Sequence, residues 1–228
     1  MRNPLYTVGE MLMETVLTHL PMTPAQARER SLAMLAEVGI PSPEERFGHY
    51  PHQISGGMRQ RVVIALALCT NPRLVIADEP TTALDVSVQA QIIALLKRLS
   101  RDHGTTVILV THDMGVIAET ADRVCVMYAG RIAEIGPVRD LVSAPQHPYS
   151  QGLLQSIPRM GTSVDRLTQI DGSMPRPGDI PPGCPFHPRC PRRFGPCDQT
   201  VPQPHTIANG HSASCHLFAE GNAPGGGR

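Results

Sequence analysis

The chain has 228 residues, enough for one full domain core with an appendage, and its twenty basic side chains balance its twenty acidic ones. That balance gives no sign of a nucleic-acid partner. No apolar run is long enough to span a bilayer and MRNPLYTVGE lacks the apolar core of a signal peptide, so a cytoplasmic protein with at most a peripheral membrane role is expected.

Residues 7–39 read as two helices. Thr7-Val8-Gly9-Glu10 and Thr23-Pro24-Ala25-Gln26 both have the capping-box pattern, the second with proline at the first helical position. Leu12, Val16, Leu17 and Leu20 form one apolar stripe, and Leu32, Leu35 and Ala36 the next, which ends near Gly39. The stretch 40–53 is a loop punctuated by prolines. It leads to Ser55-Gly56-Gly57, which opens the apolar-periodic segment Val62, Val63, Leu66, Ala67, Thr70. Glycines at a helix N-terminus let backbone N–H groups approach a phosphate closely.

Leu74-Val75-Ile76-Ala77 is a short, continuous apolar run, expected as a strand buried on both faces of a parallel sheet. Asp78 and Glu79 then stand at its carboxyl end, where open α/β sheets place their ligands. Two adjacent carboxylates there are costly to bury unless a cation or a proton uses them. Val88, Ile92, Leu95, Leu96 and Leu99 predict a helix closed by Gly104. Val107–Val110 is a second buried strand, which would deliver Thr111, His112 and Asp113 to the same sheet edge. Residues 124–128 and 131–135 flank Ala129-Gly130 as a β-hairpin. The stretch 147–157, HPYSQGLLQSI, is a short amphipathic segment.

From residue 160 onward prolines multiply, periodicity fades and the chain ends in a Gly-rich APGGGR. Four of the six cysteines crowd here, as Cys184, Cys190, Cys197 and Cys215, with spacing C-x5-C-x6-C-x17-C. This is wider than the usual zinc pairs and unlike ferredoxin runs, so spacing points to a four-thiolate site without naming the metal. Zinc with His187, His211 or His216 as a substitute ligand, or four unligated thiols, stay open. Cys69 and Cys125 sit in apolar contexts and are expected in the core. The only lysine is Lys97, and no G-x-x-x-x-G-K-[ST] loop occurs in these residues.

ISGGMRQR, LVIADEP and Thr82-Ala83-Leu84-Asp85, followed by His112 after a second apolar strand, resemble the signature motif, Walker B strand, D-loop and switch histidine of ABC-type ATPases. HPY with its leucine pair, and the cysteine tail, resemble the ATPase subunits of oligopeptide and dipeptide importers. The resemblance implies an α/β fold: a partial P-loop NTPase domain of ABC type with a helical subdomain, plus an irregular Cys-rich C-terminal extension. It divides the chain into a helical subdomain (1–70), the second half of the ATPase core (71–145) and the extension (146–228). The P-loop, the adenine-stacking aromatic and the Q-loop are missing from the residues in hand, which implies an N-terminal truncation.

By the same resemblance Ser55, Gly56 and Gly57 hold the γ-phosphate of ATP bound to a partner subunit. Asp78 orients Mg2+ through its water shell, Glu79 is the general base, His112 contacts the γ-phosphate and Asp85 couples the two sites. Cys184, Cys190, Cys197 and Cys215 would hold a [4Fe-4S] cluster, with Zn2+ as the alternative. The implied function is to energise uptake of di- and oligopeptides, or related solutes such as nickel. The implied partners are a second ATPase subunit in a head-to-tail dimer, two transmembrane permease subunits and, indirectly, a solute-binding protein, but no nucleic acid. The implied location is the cytoplasmic face of the membrane. A non-hydrolysing binding module and a non-transport ABC ATPase are the alternatives.

Overall fold

Local sequence signals set most helix boundaries. In the computed structural model of the chain, which describes residues 5–82, 84–156, 169–208 and 210–219, Thr7 and Thr23 both make reciprocal capping boxes with Glu10 and Gln26. They start α1 (Val8–His19) and α2 (Pro24–Glu37). A short α3 (Pro43–Phe47) follows, then a single 3-10 turn at Pro51–Gln53. Ser55 caps α4 (Gly56–Leu68), β1 spans Leu74–Asp78, Asp85 caps α5 (Val86–His103), and β2 spans Thr106–Val110. Gly104, at φ 63°, closes α5 in the left-handed conformation that glycine adopts without penalty. The chain divides after His112 into two units.

The first unit is a helical core beside a two-stranded parallel sheet. Val8, Leu12 and Val16 of α1, Leu35 of α2, Val62, Ala65 and Leu68 of α4, and Ile92 and Leu99 of α5 share one buried cluster. In α4 the buried face is Val62, Ile64, Ala65 and Leu68, while Val63 and Ala67 are exposed. The expected apolar face of Val62, Val63, Leu66, Ala67 and Thr70 therefore needs correction: VVIALAL is apolar all round, so several faces fit its periodicity equally well.

Gly9 shows how tightly α1 meets α3. A Cβ there would lie 2.1 Å from Cδ1 of the Phe47 ring, over which Arg28 also sits. Gly9→Ala is therefore expected to lower stability by about 1–3 kcal/mol through overpacking, although alanine is the better helix former. Urea unfolding of wild type and variant checks this, and an unchanged midpoint contradicts it.

The expectation that both strands are buried on both faces needs correction. β1 and β2 pair in register, Leu74 with Thr106 through Asp78 with Val110. One face is covered, with Val75 against the helical core. On the other, Leu74, Ile76, Ile108 and Val110 are exposed, Ile76 by 66%. An unbroken apolar run anticipates two covering layers, and no described element of this unit supplies the second.

The second unit is an antiparallel sheet with short helices. After α6 (Met114–Thr120) come β3 (Arg123–Tyr128) and β4 (Arg131–Pro137), then α7 (Val138–Ser143) and α8 (Pro148–Gln155). Ala129 and Gly130, at φ 46° and 77°, make the tight hairpin turn. The tail adds β5 (Pro204–Ala208) and β6 (His211–Ser214), giving sheet order β3-β4-β6-β5. The extension is thus not wholly irregular. PHTIA and HSAS are too short and polar to show as strands in the sequence, and pairing of β6 with β4 supplies their order.

Cys125 also departs from expectation. β3 alternates, burying Val124, Val126 and Tyr128 and turning Cys125 outward. Cys69 is fully buried, as its helical context predicts.

Candidate functional site

Two clusters in the first unit gather the residues singled out by sequence. The first lies at strand ends. Glu79 follows the last residue of β1, and its N–H still donates to the Val110 carbonyl at 2.9 Å, so the carboxylate leaves the sheet beside the end of β2. The chain beyond β2 brings His112 back, and its Nδ1–H donates to Oε1 of Glu79 at 2.7 Å. Thr82 donates from Oγ1 to the other carboxylate oxygen at 3.4 Å. The His112 hydrogen bond holds the Glu79 carboxyl below its ordinary range; it outweighs desolvation, and the His112 charge and the Thr82 hydroxyl add less. The side chain of His112 is 88% exposed and that of Glu79 36%, so both face solvent.

Glu79 sits at φ 44°, in the left-handed region that non-glycine residues seldom occupy. Asp78, one residue earlier, ends β1 and is exposed. Sequence reasoning placed these three side chains at one edge, and the structure places them there. Thr82 was not singled out as a partner of Glu79; only its place in the D-loop-like run signalled it.

The second cluster lies at helix ends. The Ser55 hydroxyl accepts from Met58 N–H at 3.3 Å, and Gly56 and Gly57 form the first turn of α4. The first N–H groups of a helix have no intrahelical acceptor and carry the positive end of its dipole. A Cβ on Gly57 would stand 3.1 Å from Val88, and one on Gly56 3.9 Å from Leu84. The glycines therefore bring the start of α4 against the start of α5, where Asp85 accepts from Val88 N–H at 2.9 Å and from the Ser87 hydroxyl at 2.8 Å. Those bonds lower the Asp85 carboxyl, Val88 N–H most. Ala83, within the D-loop-like run, lies outside the described residues.

The second unit holds the four cysteines. Cys184, Cys197 and Cys215 are buried and Cys190 half-buried. Cys184 N–H donates to the Cys197 carbonyl at 2.8 Å, and the approach is so close that a Cβ on Gly183, at φ 71°, would lie 2.5 Å from that oxygen. Burial first, and the neighbouring thiols after it, push Cys184 and Cys190 up and Cys215 to about 11. Among the described residues, however, no group of three or more His, Cys, Asp or Glu side chains is placed to hold a metal ion. Neither the [4Fe-4S] ligand set nor its Zn2+ alternative is brought together as a ready-made group among the described residues.

Residues 3–82 match the ABC transporter family, and residues 133–197 match the oligopeptide/dipeptide transporter C-terminal region. The dipeptide transport ATP-binding protein DppD of Bacillus subtilis (strain 168) is 53% identical over 94% of this chain and 64% of its own length. The oligopeptide transport ATP-binding protein AppD of the same organism is 47% identical over 97% of this chain and 67% of its own. OppD, an oligopeptide transport ATP-binding protein of Salmonella typhimurium (strain LT2), is 50% identical over 88% of this chain and 60% of its own. The chain spans about two thirds of the length of these relatives. Among solved structures, the dimeric bacterial ABC transporter cassette MJ0796 aligns with TM-score 0.52 and 34% identity over 60% of this chain and 59% of that chain. The same cassette in a post-hydrolysis state with ADP and Pi aligns with TM-score 0.53 and 34% identity, over the same shares of both chains. The chain belongs to the oligopeptide/dipeptide branch of the ABC transporter ATP-binding proteins.

Proposed function

We propose that this chain supplies the signature-motif half and the hydrolytic carboxylate of an ATPase that drives import of di- and oligopeptides, or related small solutes such as nickel. The observation that carries the reading is the 2.7 Å pair of Glu79 and His112 at the carboxyl ends of adjacent parallel strands. A carboxylate there, kept ionised, accepts a proton from a water attacking a γ-phosphate. Asp78 orients Mg2+ through its water shell, and that ion neutralises phosphate charge when bound. His112 reaches the γ-phosphate. Ser55 and the N–H groups of Gly56 and Gly57 hold the γ-phosphate of ATP seated on a second ATPase subunit, with Asp85 coupling the two sites.

Residues 1–228 contain no phosphate loop, so that loop reaches the nucleotide from outside these residues. The partners are a second ATPase subunit packed head to tail, two transmembrane permeases, and a solute-binding protein acting through them. The chain works peripherally on the cytoplasmic face; among its described residues no helix is long and apolar enough to cross a membrane. Titration of Mg·ATP tests the division of labour. The 228-residue chain alone should bind weakly, and a mixture with a full-length ATP-binding subunit should associate only with nucleotide. Micromolar binding by the chain alone, or no nucleotide-dependent association, contradicts it.

For the tail, we propose that Cys184, Cys190, Cys197 and Cys215 hold a [4Fe-4S] cluster that clips the extension together. The four thiols are gathered in one extension, three buried and one half-buried, and four cysteine thiolates are the ligand set such a cluster takes. Metal–ligand bonds also supply folding energy that a proline-rich segment lacks. Anaerobic purification with iron, sulfide and zinc analysis decides it, and stoichiometric zinc without sulfide would replace the cluster.

A further inference from the structure

The most deeply buried acidic side chain among the described residues of the second unit takes no part in the chemistry proposed so far. Glu134, in β4, is 0% exposed, and its two carboxylate oxygens collect three donors. Oε1 accepts from Gln146 N–H at 2.8 Å and from His211 Nε2–H at 2.7 Å. Oε2 accepts from His147 N–H at 2.9 Å. A buried carboxylate with this many donors is satisfied, but an apolar residue of like volume commonly serves stability as well or better. The position therefore calls for a reason other than stability.

What the donors carry supplies the reason. His211 opens β6, which pairs with β4 through Glu134 and Ala213 and runs directly into Cys215. The His211 ring lies so close over Gly136 that a Cβ there would be 2.7 Å from its Cδ2, so the backbone of β4 is shaped to admit this ring. On the other side, His147 starts α8. Its ring stands 5.9 Å from the ring of Phe186, and Tyr149 stands 5.4 Å from the same ring. Phe186 is buried two residues after Cys184. One carboxylate thus ties together the segment bearing Cys215 and the aromatic wall behind Cys184.

We propose that Glu134 is a positioning residue for the cysteine site, fixing Cys215 through His211 and Cys184 through His147 and Phe186. Its purpose rests on the four-thiolate reading above, but its geometry does not. The orientation is one a carboxylate alone meets: both oxygens accept, whereas an amide would turn an NH2 group toward one of the buried donors.

Site-resolved thiol labelling tests the proposal. The full-length 228-residue chain, stripped of metal by chelator, is pulsed with iodoacetamide and each cysteine is read by mass spectrometry. Cys69, buried in the first unit, is the internal reference. Glu134→Ala should raise labelling of Cys215 over Cys69 on the order of a hundredfold, as expected when three buried donors lose their acceptor. Cys184 should follow less strongly and Cys197 least. Glu134→Gln, which keeps the volume, should show the same order with a smaller rise. Unchanged labelling of Cys215 in both variants, or a rise shared equally by Cys197 and Cys69, overturns the proposal, since general loosening would look like that. Iron and sulfide are measured on untreated wild type; their absence removes the cluster and leaves the labelling ratios to decide the role of Glu134.

Discussion

Glu79→Gln, in an assembly where a phosphate loop is present, is expected to cut ATP turnover by about 100- to 10,000-fold while leaving nucleotide binding in place. The carboxamide keeps the shape of the side chain and can still accept the His112 Nδ1–H bond seen at 2.7 Å. It cannot take a proton from water. Because the carboxyl is held below its ordinary range, the wild-type base is ionised throughout the neutral region, so the loss should be flat with pH there. His112→Ala supplies the companion result. If the imidazole contacts the γ-phosphate, its removal lowers turnover severely; if it only tethers Glu79, the loss is mild. Single-turnover measurements with trapped nucleotide separate binding from chemistry. Near-normal turnover of Glu79→Gln would remove the carboxylate from the base role.

Acid should weaken the second unit through one histidine. His147 is buried, and burial lowers its pKa from 6.5 to about 4 although the Glu134 carboxylate pulls the other way. In the unfolded chain the imidazole takes up a proton near its ordinary value, while in the folded chain it stays neutral until about pH 4. Between those values the unfolded state binds more protons, so stability rises with pH. The contribution is whole above about pH 6.5 and is lost progressively down to about pH 4, on the order of 3 kcal/mol in all. Carboxylates elsewhere add their own acid sensitivity, so the measurement is comparative. Urea midpoints at about pH 7 and about pH 4.5 should fall further for wild type than for His147→Asn, whose amide can still accept from Tyr149 N–H. Equal falls would show that His147 does not carry the term.

Much of the first unit was legible because its signals are local. Thr7 and Thr23 cap helices within three residues of chain, and Gly104 closes α5 through its own backbone freedom. Asp78, Glu79 and His112 were legible for a related reason: each follows an apolar strand, and parallel strands bring equivalent ends together. The open face of β1 and β2 was not, since a four-residue apolar run reads the same whether one layer or two cover it. Cys125 misled because alternation in RVCVMY is weak when the outward residues are themselves cysteine and methionine. Glu134 was invisible. In RIAEIGP a glutamate reads as a solvated position, whereas Gln146 and His147 on one side and the return of β6 from far along the chain on the other bury it.

The backbone at Glu79 bears on how this position can vary over evolutionary time. Its φ of 44° is one that glycine or asparagine adopts with little penalty, whereas glutamate, with its Cβ against the following carbonyl oxygen, adopts it at a cost of roughly 1 kcal/mol or more. Selection for robustness alone would therefore drift the site toward glycine and leave a sturdier protein. Under the proposed base role, a glutamate standing there marks a trade-off, in which folding tolerates a local defect and the carboxylate leaves the sheet to meet His112. Lineages released from the need to hydrolyse nucleotide should lose this residue early, since its replacement relieves the backbone at the same stroke.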